Sequence, residues 1–298
     1  MPRLITCASD RAIGLNACID ALSARQFDPR DEDSLAHGAL CLRELGNDRR
    51  FLGDLIAREL ADRDSPPREQ GYGPQSIVLS SPQSGFFLRA NIWPAEQDHA
   101  VQASGRGAFQ YDVPHDHNFS FLTLGYFGPG YRSDYWEYEY EDVVGHIGEH
   151  VALEPKGRQQ LTPGRIMLYR AHRDIHSQIP PLAMSVSLNV MHADGSHGWF
   201  DQYAFDPAAG VITDRLGTGS SEAFIRIAVS LESDAALDLA ENFGRSHPSD
   251  RMRYACWDAR AGIVKDDEAR DAVWREAEVA GSRLIAAEAR RKRAELAG

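Results

Sequence analysis

His115-Asp116-His117 and, well downstream, His176 are the residues whose types and spacing could carry out chemistry in this chain. Successive side chains of an extended strand point to opposite faces, so His115 and His117 project to one side and Asp116 to the other. A third imidazole from a neighbouring strand would complete a face of three nitrogen donors. Such a face leaves coordination positions open for a substrate and an oxidant, which a catalytic metal site needs and a structural one lacks. A His-x-His pair by itself equally suits a strand that turns every second residue toward water, so its surroundings must decide. Imidazole ligands accept zinc, nickel, copper or manganese as well as iron.

Those surroundings hold two further features. The apolar run Phe86-Phe-Leu-Arg-Ala-Asn-Ile-Trp93 ends in Trp ahead of the pair, and twelve residues separate the turn glycine Gly164 from His176. On these residues the stretch from 86 to 192 resembles the cupin superfamily, and within it the three-His non-haem iron branch of the cysteine and thiol dioxygenases. The resemblance implies a mainly β fold with flanking α, in which a double-stranded β-barrel (jelly roll) lies between N-terminal helices and a C-terminal helical region. It also implies Fe(II) on His115, His117 and His176, with O2 and a small molecule as partners. The twelve-residue spacing selects His176 over His172, which stands in an Arg-rich run.

The departures from that family are informative. The general cupin motif places a Glu four or five residues after the second His, where this chain has Phe121 and Leu122. A three-His set is therefore the better match. Cysteine dioxygenases carry a Ser-x-His-x-Tyr run where this chain reads Ser187-Leu-Asn189-Val-Met191, and Leu122 stands where some of them have a Cys joined to that Tyr. The missing phenol and relay point away from cysteine, toward another thiol- or amine-bearing metabolite of specialised metabolism, with oxygen insertion or oxidative rearrangement as the outcome. Asn189 could hydrogen-bond a bound substrate or oxygen but cannot shuttle a proton at neutral pH. Glu137 could accept a hydrogen bond from a ligand or act as a weak fourth ligand. An anionic substrate calls for a fixed guanidinium, and Arg89 and Arg170 lie in strands while Arg132 follows the aromatic turn that contains Tyr126, a further substrate-binding candidate. Each arginine suits a surface salt bridge as well. Two other readings use the same residues: a metal-dependent small-molecule-binding or sensor protein, and a metal-assisted isomerase or lyase.

A chain of 298 residues, 43% hydrophobic, has enough apolar material for one large domain or two modest ones. Its formal charge of -12 argues against nucleic acid or an anionic membrane as partner. Arg290-Arg-Lys-Arg293 is interleaved with acidic residues and reads as a solvated tail. No apolar run is long enough to span a bilayer and no signal pattern opens the chain, so a cytoplasmic protein is expected, with a homodimer left open. Cys7, Cys18, Cys41 and Cys256 lack paired spacing and read as reduced thiols.

The elements that must position the histidines follow from periodicity. Residues 1–63 read as helical: Leu15, Cys18, Ile19 and Leu22 share a face, Ser34 offers a cap to a second helix, and Asn47 opens a third carrying Phe51, Leu52, Leu55 and Ile56. A linker is placed at Asp64–Gly73. Residues 74–212 read as the barrel, with a polar insertion between Trp93 and His115, a strand from the metal pair on through Phe119–Leu124, and an aromatic strand from Tyr135 to Tyr140. Residues 220–298 read as helical hairpins, with Gly244 stopping one helix, Ser249 capping the next, and one long helix from Asp266 or Asp267 past Leu284.

Overall fold

A computed structural model describes residues 1–61, 75–82, 85–217 and 220–298; the linker expected at Asp64–Gly73 lies outside the described residues. The elements in chain order are β1 (Arg3–Ile5), α1 (Leu15–Arg25), α2 (Glu32–Asn47), α3 (Phe51–Ala61), β2 (Ser76–Val78), β3 (Phe86–Trp93), α4 (His99–Ser104), β4 (Phe121–Phe127), β5 (Arg132–Glu137), β6 (Glu154–Gln160), β7 (Ile166–Tyr169), β8 (Asp174–Ile179), β9 (Ser185–His192), β10 (Gln202–Asp206), β11 (Val211–Leu216), α5 (Ser220–Ser230), α6 (Asp234–Ser246), α7 (Asp250–Ile263), α8 (Asp267–Glu278) and α9 (Arg283–Ala297). The chain divides into two compact units, one of Met1–Tyr140, Val151–His197 and Ala204–Gly210, the other of Glu141–His150, Gly198–Tyr203 and Val211–Gly298.

The first unit is mixed α/β, built on two antiparallel sheets. One has six strands in the order β1-β7-β4-β9-β3-β2, the other three in the order β6-β5-β8. The central strands of the larger sheet are buried on both faces, and the period-2 alternation sorts their residues. Leu88 and Ala90, Leu122 and Leu124, Ile166 and Leu168, and Leu188 and Val190 form one apolar core with Cys18 and Leu22 of α1, Leu35, Leu42 and Leu45 of α2, and Phe51 and Leu52 of α3. Each fully buried Leu, Val or Ile there contributes about 1.5–3 kcal/mol. The opposite face carries Trp93, Phe121, Met167, Tyr169 and Met191, which share a second, aromatic core with Tyr135 of β5. That second core lies between the sheets.

Several elements differ from the sequence reading. The N-terminal region is not wholly helical, because Arg3–Ile5 pairs antiparallel with β7, Leu4 opposite Met167; three residues are too few to show a period. Asp31, not Ser34, caps α2, its side chain accepting the Ser34 amide. Asn47 ends that helix instead of opening the next one, since the Asp48 carboxylate takes the Phe51 amide and turns the chain. The insertion after Trp93 contains the short helix α4. The aromatic strand ends at Glu137, and β4 starts only at Phe121.

In the second unit Ile225 and Val229 of α5, Ala236 and Ala240 of α6, and Met252 and Cys256 of α7 form one core. Trp257, Trp274, Ala277 and Ile285 form another. Gly244 does not stop α6, which runs to Ser246: Gly244 is buried against Trp257, whose Nε1 donates to its carbonyl at 2.9 Å. Ser249 caps α7 through the Met252 amide. The expected long helix is two, broken at Gly281 (φ +85°) with Ser282 capping α9. In the terminal helix Leu284, Ile285 and Ala289 are buried, while Arg290 and Arg291 of the basic run are exposed and Lys292 and Arg293 half-exposed.

Gly125 of β4 is the tightest point of the larger sheet. A Cβ there would stand 2.2 Å from the Thr162 carbonyl oxygen, where the register against β9 slips. Gly125→Ala should therefore destabilise the protein by about 1–3 kcal/mol through overpacking against backbone, read as a lower midpoint in urea denaturation; an unchanged midpoint would show that the Pro163 turn yields freely.

Candidate metal centre

The histidines sit where the chain passes from one sheet to the other. His115 forms a bridge with His176 of β8, each amide donating to the other's carbonyl at 3.0 and 2.9 Å. Residues opposite one another in such a pair project to the same face. The extended strand expected through His115, His117 and Phe119 is interrupted instead: after the His115 bridge the chain turns before β4 begins. His117 is fixed from the other side, its carbonyl accepting the His172 amide at 2.8 Å. His172 holds φ at +58°, a left-handed conformation at the turn that leads into β8.

The structure thereby brings His115, His117 and His176 together, with one candidate ligand nitrogen from each lying within 4.8 Å of the others. His117 Nε2 and His176 Nε2 are 3.0 Å apart. Two ligands about 2.0–2.1 Å from one ion at a right angle stand about 2.9 Å apart, so the spacing fits nitrogens that share an ion. The outer nitrogens fit as well. His115 Nδ1 donates to the Val113 carbonyl at 2.8 Å, which leaves Nε2 with its lone pair. His176 Nδ1 meets the Gln178 amide at 3.0 Å, and the buried Gln178 Oε1 has no other partner. With the amide turned so that Oε1 accepts Nδ1–H, the His176 ring has an acceptor on that side and its Nε2 keeps its lone pair for an ion. His117 Nδ1 is buried with no hydrogen-bond partner, so an ion on Nε2 would fix its tautomer.

Electrostatics favours neutral ligands. Burial pulls the His115 pKa below its ordinary value, against the Val113 hydrogen bond that raises it. Burial, then the neighbouring His115 and the Arg89 charge, holds His117 well below that range. His176 is held well below it by burial and by His115, His117 and Arg89. Three unprotonated imidazoles at neutral pH are what a divalent ion requires. Their surroundings are aromatic: Phe119 and Phe121 lie 4.8 and 5.1 Å from the His117 ring, and Tyr169 lies 4.8 Å from the His176 ring, stacked on Phe121. The Tyr169 and Tyr135 hydroxyls are 2.7 Å apart. Asp116, between the paired histidines, is buried and accepts the Tyr138 hydroxyl at 2.6 Å.

The other candidates are dispersed. Asn189 is buried on the inner face of β9, opposite Arg89 of β3, whose carbonyl its amide reaches at 3.4 Å. Arg89, with Phe119, lines a cavity of about 390 Å³. Glu137 and Arg170 are not beside the imidazoles. They belong to an ion cluster in which Arg170 binds Glu137 at 2.8 Å and Asp174 at 2.6 Å, Arg173 binds Glu137, and the Met1 ammonium reaches both carboxylates. Tyr126 lies on the helix-covered face of β4, donating to the Asp48 carbonyl at 2.8 Å and packed on Phe51. Even positions of β4 face the helices and odd ones the sheet interior, which separates Tyr126 from Phe121. Sequence reasoning missed Gln178, Tyr169 and Asp116; Gln178 was detectable, two residues from His176 on the same face of a strand.

No protein-family model and no curated protein sequence matches the chain. Among solved structures it is similar to the DMSP lyase DddQ from Ruegeria pomeroyi DSS-3, at 11% identity over 40% of this chain and 47% of that one, TM-score 0.25. It is also similar to the hydroquinone 1,2-dioxygenase PnpCD in complex with Cd2+ and 4-hydroxybenzonitrile, at 14% identity over 46% and 71%, TM-score 0.26. A Pseudomonas putida prolyl-4-hydroxylase is matched at 14% identity over 61% of this chain and 100% of that one, TM-score 0.25. The chain spans about half the length of the DMSP lyase it matches.

Two outcomes follow from these contacts. Gln178→Ala should cost roughly 10–100-fold in metal affinity by removing the group that orients His176, read by competition with a chromophoric chelator; full affinity would show that the ring is held by its bridge to His115 alone. Burial would raise the Glu137 carboxyl, but hydrogen bonds from the Met1 ammonium and Arg170 outweigh it and hold the carboxyl at about 2. A depressed carboxyl contributes stability that is complete above its unfolded value of about 4.3 and lost as pH falls toward the folded value. Glu137→Gln should therefore flatten the fall in melting temperature across that acid window, and an unchanged slope would place the acid sensitivity elsewhere.

Proposed function

We propose that this chain is a metal-dependent cupin enzyme: a non-haem Fe(II) oxygenase in which His115, His117 and His176 hold the ion and O2 reacts with a small metabolite. The observation that carries the reading is the convergence of three neutral imidazoles, His115 and His176 buried and His117 half-buried, with their outer nitrogens engaged or sealed from water. Three protein nitrogens leave open positions, which favours catalysis over a structural role. Two antiparallel sheets around an aromatic core support the jelly-roll barrel.

Bound iron would supply a coordination site for substrate and oxygen side by side. The chain's own residues do the rest. Phe119, Phe121 and Tyr169 keep bulk water from the imidazoles, which strengthens every electrostatic contact in the site. Arg89, in the neighbouring cavity, orients an anionic group of the substrate. Asn189 contributes an amide that donates and accepts hydrogen bonds without changing charge. The Tyr169 ring lies beside His176, and burial keeps its phenol and that of Tyr135 neutral, hydrogen-bonded to one another.

Anaerobically iron-loaded protein, given candidate thiols and hydroxylated amines in turn, should consume O2 with at least one of them. His176→Ala should abolish that uptake. Turnover that persists without O2 would instead make the protein a lyase or isomerase, and metal and ligand binding without turnover would make it a sensor.

A further inference from the structure

The cavity beside the imidazoles carries information about the substrate that the metal ligands do not. Its volume is about 390 Å³, and its lining includes Phe87, Arg89, Phe119, Met191, His192 and His197. Phe87 and Met191 are directly opposite one another on β3 and β9, and Arg89 and Asn189 form the next pair on the same face. An apolar wall and a guanidinium are therefore adjacent along the inner face of the sheet. Phe119 joins this wall to the metal centre, its ring 4.8 Å from that of His117 and inclined at 30° to it. On the other side it lies 6.4 Å from His197.

The charges in the lining are unequal in depth. Asp194 stands exposed at the rim, its carboxylate accepting the Ser196 amide. His192 and His197, with rings 5.1 Å apart, are both pushed below the ordinary histidine range by burial first. Arg89 is thus the one permanent cation among the residues lining the cavity, and its charge bears on both His117 and His176. A two- or three-carbon acid could meet the guanidinium but would leave the half-buried Phe87 and Phe119 wet.

We infer that the cavity takes a monoanionic acid with an aromatic or similarly flat apolar body, the acid on Arg89 and the body against Phe87, Phe119 and Met191. This class of ligand rests on the reading of the three imidazoles as a metal site, toward which the ligand's far edge is presented at His117. The guanidinium supplies a charge-assisted pair and the wall supplies apolar burial, and neither suffices alone.

The test uses the full chain loaded with zinc, which the imidazoles accept and which carries no redox chemistry. Calorimetric titration compares 3-phenylpropionate with its neutral amide and with propionate. The aromatic acid should bind about tenfold or more tighter than either, since each comparison removes one of the two contacts. Arg89→Met should erase the preference for acid over amide while Arg89→Lys retains part of it, and Phe119→Ala should weaken acid and amide alike. An amide or propionate that binds as tightly as the aromatic acid, a preference that survives Arg89→Met, or no binding of any of the three overturns the inference. The ligand ratios are internal to the wild-type protein, so they decide the matter even where a variant fails to fold. Zinc content measured on the same samples separates the two claims. Zinc bound without an acid preference removes the ligand class and leaves the metal site, whereas an acid preference without zinc removes the metal site and leaves the ligand class.

Discussion

The double hydrogen bond between His115 and His176 is the constraint on which the site depends. Neither histidine lies in a long regular run shared with the other, and the segment around His115 belongs to no named strand. The bridge places their side chains on one face at the separation of a directly opposed antiparallel pair. The His172 amide then holds the His117 carbonyl on the approach to β8, so all three imidazoles are referred to the same short length of backbone. A site assembled from two segments far apart in sequence needs such a reference, because a displacement of about 1 Å is enough to spoil a catalytic geometry.

The larger sheet makes the interior available for this. Its outer face is apolar and covered by α1, α2 and α3, so its stability is secured away from the site. The inner face can therefore carry residues that a core would not choose: Arg89, Asn91, Thr123, Ser187 and Asn189 alternate there with Trp93, Phe121 and Met191. Several of these polar groups find partners across the strands, as Trp93 Nε1 does with the Ser187 hydroxyl at 3.0 Å. Burying polar groups is tolerated where each can be paired.

What could be read from the sequence follows the length of the signal. The strands Phe86–Trp93 and Ser185–His192 are long enough to show alternation, and the helix faces of Cys18 with Leu22 and of Phe51 and Leu52 with Leu55 and Ile56 show a 3.6-residue period. The strand Arg3–Ile5 could not be read, since its place is set by β7 and not by its own three residues. Gly244 misled because its missing side chain serves Trp257 rather than a helix end. The histidine cluster was legible as a set of types and spacings. The fate of Glu137 and Arg170 was not, because their mutual ion pair depends on β5 and β8 lying side by side with Glu137 opposite Asp174.

That ion pair also bears on the charge balance of the site. Glu137, the carboxylate nearest in sequence reasoning to a fourth ligand, is neutralised by Arg170 and Arg173, and the positions where a general cupin motif would offer Glu are Phe121 and Leu122. Asp116 is buried and tied to Tyr138. On the proposed reading, three neutral imidazoles would bring no charge of their own to a divalent ion, the buried Asp116 carboxylate would stand between two of them, and Arg89 adds to the positive potential. Isolated charge in such surroundings is costly. On that same reading an anionic group of the substrate would balance the ion's charge, with Arg89 in the cavity placed to meet it.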